Sequence, residues 1–307
     1  MKIVISVCVV SLALSGCATI DVNQAVNAYN RCVDYSNEAR TAGVSALFTS
    51  GVPEGLAKLG EINTKVELDC NAAIASSEQI LKEQFTSLAP SVRGTALSLR
   101  AFSIDVMSDI RTNSLKDNRV VYEREIKDAV KTAITFHKSN EAFIGGNNLA
   151  RLQSLHGRID FRKARIESQS KSPDYTKIRG LVCSGISIFS EARKNTSDPL
   201  LKANMSLDQL SGTIWLIEAA SLKQDIESAK SEAKYQACQA MRHAIAAIEN
   251  LSGDTNDLFN SSNKAFFGTL QAGGMDNQPF TSKSKFDSHC KGVAKEERVC
   301  GKKTLTQ

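Results

Sequence analysis

The chain has 307 residues, with 38 Lys and Arg against 33 Asp and Glu, a formal charge of +5, 42% hydrophobic residues, 18 glycines and five prolines. An apolar share near the globular average excludes disorder for the bulk of the chain, and Gly and Pro are too scarce for collagen-like or low-complexity structure. The size suits one large domain or two modest ones.

The first residues are MKIVISVCVVSLALSGC: a cation at Lys2, an apolar run from Ile3 to Leu14, then small residues. A bilayer core about 30 Å thick needs roughly 20 helical residues, so this run is too short to span it and has the pattern of a signal peptide. Leu14-Ser15-Gly16-Cys17 resembles the lipobox of bacterial lipoproteins. That resemblance covers only the leader, residues 1–16. It implies cleavage before Cys17 and acylation of that cysteine, and several acyl chains suffice for stable anchoring. Ala18 and Thr19 follow, without the Asp that retains enterobacterial lipoproteins in the inner membrane. The implied location is therefore the outer membrane, on its periplasmic face. Ile214 to Ala220, the longest later apolar run, is short and contains Glu218, so no second span is expected.

The mature chain reads as helix after helix. Pro53, Pro90, Pro173 and Pro199 each precede or begin a periodic segment. Helices are expected over 25–48 and 54–88, the second with Leu59, Ile62, Val66, Cys70, Ala73, Ile74 and Leu81 at three- and four-residue spacing. Leu99, Phe102, Val106 and Ile110, then Ile126, Val130 and Ile134, then Leu149, Leu152, His156 and Ile159 repeat the pattern. Residues 206–250 read as the longest helix, opened by Ser206 and Gln209 as a capping box. Strand signals are nearly absent. The expected fold is all-α: an elongated bundle of about seven helices over 17–252, with disulfide-stapled hairpins. Beyond it, residues 253–307 form an irregular, polar, basic tail, with Gly273-Gly274 and Pro279 as breakers. A weak echo links Cys32-Val33-Asp34-Tyr35-Ser36-Asn37-Glu38-Ala39-Arg40 to Cys183 through Arg193, out of register by two residues; chance resemblance outweighs duplication.

With Cys8 in the leader and Cys17 acylated, six cysteines remain: Cys32, Cys70, Cys183, Cys238, Cys290 and Cys300. An even number in an oxidising envelope reads as three disulfides, with 15 possible connectivities. Cys32 and Cys70 each lie 19 residues from Gly51, so an antiparallel hairpin turning there sets them at one height. Cys290 and Cys300, ten apart, suit a local loop in the tail. That leaves Cys183 for Cys238, a pair that a straight hairpin does not align. A zinc site from His289, Cys290 and Cys300 is the rival reading, weakened by the missing fourth ligand.

The search for chemistry returns no HExxH, G-x-S-x-G, Walker or Rossmann pattern. His137, His156, His243 and His289 have no partner at metal-ligand spacing. His156 falls on an apolar stripe and reads as a core residue; His243, beside Arg242, reads as surface-facing. Glu123 with Glu125, and Glu296 with Glu297, read as solvated charges. So does the run Arg158, Arg162, Lys163 and Arg165, interrupted by Asp160 and Glu167. Aromatics are too sparse for a nucleic-acid stacking platform.

The expected function is therefore a lipid-anchored envelope protein acting as a non-catalytic scaffold or interaction subunit. It needs no cofactor and no metal, and its partners are the membrane, through Cys17, and an envelope protein. The alternatives are a helical-bundle binder of a small apolar ligand and an envelope enzyme whose site is dispersed in sequence. The charge of +5 divides unevenly. Lys2 carries one, and residues 281–307 hold seven cations (Lys283, Lys285, Lys291, Lys295, Arg298, Lys302, Lys303) against Asp287, Glu296 and Glu297, a surplus of four. The body between is formally neutral, and the basic tail is suited to weak contact with an anionic surface.

Overall fold

The computed structural model describes residues 22–49, 52–83, 88–114, 119–141, 146–221 and 226–248, together with Cys290 and Cys300. Among these the regular structure is entirely helical. It comprises α1 (Val22–Thr49), α2 (Val52–Glu83), α3 (Pro90–Ser114), α4 (Arg119–Ser139), α5 (Gly146–Ser168), α6 (Tyr175–Lys194), α7 (Pro199–Ser221) and α8 (Ile226–Ile248). The all-α bundle expected from periodicity is what the chain forms. Pro90 and Pro199 open α3 and α7, and Pro53 sits in the first turn of α2, where a missing N–H costs nothing.

The chain divides into two compact units, Met1–Ile144 and Gly145–Gln307. In the first unit α1 packs on α2 and α3, and α3 on α2 and α4. In the second, α5 packs on α6 and α7, and α7 on α6 and α8. The single helix expected over 206–250 is corrected here: α7 and α8 lie side by side, which one straight helix cannot do. Its capping box is corrected too. Ser206 lies within α7 and its hydroxyl donates to the Lys202 carbonyl one turn back. The cap is instead Asp198, whose carboxylate accepts the Leu200 and Leu201 amides at 2.9 and 3.2 Å. Asp174 does the same for α6, accepting from Thr176 and Lys177.

The first unit's core relies on small residues: Ala25, Ala28, Ala73 and Ala96 bring α1, α2 and α3 together around Tyr29, Ile80 and Leu99. The second is built on two aromatic rings. Phe161 of α5 and Phe189 of α6 pack at a tilt of 34° with centroids 5.4 Å apart. Their rings occupy the space of absent side chains. A Cβ at Gly157 would lie 2.7 Å from Phe189, one at Gly185 would lie 2.5 Å from Phe161, and one at Gly212 of α7 would overlap Phe161 outright. Three helices thus close on two rings through three glycines.

Candidate functional site

All six candidate cysteines lie in disulfides. Cys32 of α1 is bonded to Cys70 of α2, the pairing expected from their equal separation from Gly51 in sequence, with Cα atoms 5.0 Å apart. The other two pairings differ from expectation: Cys183 of α6 joins Cys300, and Cys238 of α8 joins Cys290. Spacing favoured Cys290 with Cys300, but each reaches back to a helix. The C-terminal region is therefore tied to the second unit at two points, with Cys290 buried and Cys300 packed against the Phe161–Phe189 core. Neither has a free thiolate, so the zinc reading from His289, Cys290 and Cys300 fails. His289, Glu296, Glu297, the lipidation candidate Cys17 and the tail's basic residues lie outside the described residues. Among the described residues no cluster of three metal-ligating side chains occurs, and no helix is long and apolar enough to cross a membrane. The weak echo has no structural counterpart: Cys32 is on the first helix of its unit, Cys183 on the second, and the two bond differently.

His137 of α4 is the deeply buried histidine of the first unit, 1% exposed. Its Nε2 lies 2.9 Å from Ser98 Oγ and 3.2 Å from the Gly94 carbonyl. Ser98 Oγ donates its own proton to that same carbonyl at 2.8 Å. His137 Nε2 thus lies within hydrogen-bond reach of both the Ser98 hydroxyl and the Gly94 carbonyl, and this cluster ties α4 to α3. Burial pulls the imidazole below its usual range, outweighing the Gly94 carbonyl's favourable contact.

Polar pairs bind α5 to its neighbours. Asp160 accepts from Ser184 at 2.7 Å, and Gln153 donates to Glu191 while accepting from Asn195. The arginine run reaches other helices instead of forming a merely solvated face. Arg158 lies 3.9 Å from Asp208 of α7, and the Arg165 guanidinium sits 5.6 Å over the Trp215 ring. Of the remaining candidates, Glu125 is exposed and Glu123 half-buried, and His156 is half-buried rather than deep in the core.

The second unit also carries a cleft of about 590 Å³, where the end of α6, the loop into α7 and the distal part of α8 meet. Its described walls are Ser190, Arg193, Lys194, Ser197, Pro199, Lys202, His243 and Ala246. An arginine, two lysines and a histidine converge there, with no carboxylate among the described wall residues. The Arg193 Nη1 is buried and has no hydrogen-bond partner. Desolvation lowers the Arg193 guanidinium to about 10. Burial lowers the His243 imidazole, and the Arg193 charge lowers it further. The adjacent α7 amides are already engaged by Asp198, so the cationic character of the cleft comes from side chains. Sequence reading singled out only His243. Arg193, Lys194 and Lys202 escaped it because they come from two helices, although the acid-free stretch from Ala192 to Ser197 was a local hint.

No known protein family, curated protein or solved structure matches the chain.

Proposed function

We propose that this protein is a lipid-anchored component of a bacterial cell envelope, held at the outer membrane through Cys17 and facing the periplasm. Its two helical units act as a non-catalytic scaffold or interaction subunit. The observation that carries the reading is cysteine usage. One cysteine closes a lipobox-like leader, Cys8 lies within it, and the six others pair into three disulfides, the economy of a chain that folds in an oxidising compartment.

The experiment is Cys17→Ser expressed in cells labelled with fatty acid. The label is expected to be lost and the chain to move from the membrane fraction to the soluble one. Label retained by the variant contradicts the anchor. Crosslinking in intact cells then tests the scaffold role, which predicts adducts with an envelope protein.

A cationic cleft also favours a second reading, a small-ligand binder, with the ligand anionic rather than apolar.

A further inference from the structure

We infer that the cleft formed by α6, α7 and α8 is a binding site for a phosphomonoester group, held by Arg193, Lys194 and Lys202 with Ser190 and Ser197 as hydroxyl donors. The inference rests on the cleft alone and stands whether or not Cys17 is acylated. Three cations with no carboxylate among the described wall residues repel one another, and the arrangement is relieved by a dianion rather than a monoanion. A guanidinium presents its donors as a planar fork that suits phosphate oxygens, while the two lysines supply point charges. The orphaned Arg193 Nη1 marks a group withheld from water with no acceptor to compensate. An anion beside it supplies the missing counter-charge. At about 590 Å³ the cleft exceeds the needs of a bare phosphate and falls in the range of sites for small organic ligands, with Pro199 and Ala246 offering apolar wall to the esterified part.

A phosphomonoester can arrive as a soluble metabolite or as a lipid headgroup, and two probes separate these sources. The full-length chain, purified in detergent, is titrated with glycerol 3-phosphate, reading heat and the His243 imidazole resonances. The full-length Cys17→Ser variant, which has no acylation site, is floated with vesicles of phosphatidylcholine with or without phosphatidic acid. Saturable glycerol 3-phosphate binding that shifts His243 assigns a soluble ligand. Flotation only with phosphatidic acid assigns a headgroup. In either arm Arg193→Gln and Lys202→Gln each weaken binding about tenfold or more. Lys127→Gln, which removes the same charge from an exposed position on α4, leaves it unchanged. Should Arg193→Gln fail to fold, Lys194→Gln at an exposed position joins Lys202→Gln in carrying the test. Absence of binding to both probes at millimolar concentration overturns the site, as does a loss in Lys127→Gln equal to that in the cleft variants.

Discussion

The two units solve the same problem, holding four helices together, by different means. In the first, a short-range disulfide staples α1 to α2 across a hairpin of 38 residues, and alanines let the helices approach. In the second, no disulfide joins neighbouring helices of the bundle among the described residues. Two disulfides instead draw a distant C-terminal region onto α6 and α8, closing loops of 117 and 52 residues, while Phe161 and Phe189 fill the centre. The difference teaches that the first unit can lock as soon as its hairpin forms. The second unit is completed only after the chain's last cysteines are made.

This contrast is broken most sharply by removing the bonds. In the chain-entropy picture, loss of Cys183–Cys300 costs up to about 5 kcal/mol and loss of Cys32–Cys70 up to about 4 kcal/mol. Cys183→Ser with Cys300→Ser is expected to raise hydrogen exchange across α5–α8 and leave α1–α4 unaffected. Cys32→Ser with Cys70→Ser is expected to do the reverse. Exchange that rises equally in both units for either variant would merge them into one cooperative body.

Next in size is the aromatic centre. Phe189→Ala is expected to destabilise the second unit by roughly 3–5 kcal/mol in denaturant unfolding. Gly212→Ala, which forces a methyl onto the Phe161 ring, is expected to cost about 1–3 kcal/mol. An unchanged unfolding midpoint for Gly212→Ala would show that the ring has room to move.

His137 gives the first unit a pH response. Its folded-state pKa lies below the ordinary 6.5, so the unfolded chain takes up the proton first. Stability is therefore flat with respect to this group above about pH 6.5. It declines as pH falls from there toward the folded value, by at most about 1.4 kcal/mol per pH unit. Denaturant unfolding of the His137→Gln variant is expected to lack this component, and an unchanged acid slope in that variant would assign it elsewhere. The smallest effect belongs to the surface: Arg31→Ala, which removes the 2.9 Å pair with Asp69, is expected to change stability by about 0.2–1 kcal/mol and to lose even that in high salt.

What sequence revealed and what it hid divides along the same line. The first unit was legible because its determinants are local: prolines mark helix starts, and equal distances of Cys32 and Cys70 from Gly51 give their pairing. The second was not, because its determinants are tertiary. No Gly or Pro lies between α7 and α8 in the sequence, so the apolar periodicity of 206–250 carries no mark of where one helix ends and the next begins. Cys290 and Cys300 looked like a local loop because nearness in sequence says nothing about a helix wall that folding brings alongside. The cleft was hidden for the same reason: Arg193, Lys202 and His243 are contributed by three helices.

Peptide mapping of the non-reduced protein, purified from cells, tests the central claim most directly. Mass spectrometry is predicted to find Cys32 linked to Cys70, Cys183 to Cys300 and Cys238 to Cys290, with no free thiol among the six. A peptide joining Cys290 to Cys300, or free thiols at Cys183 and Cys238, would contradict the tying of the C-terminal region to the second unit.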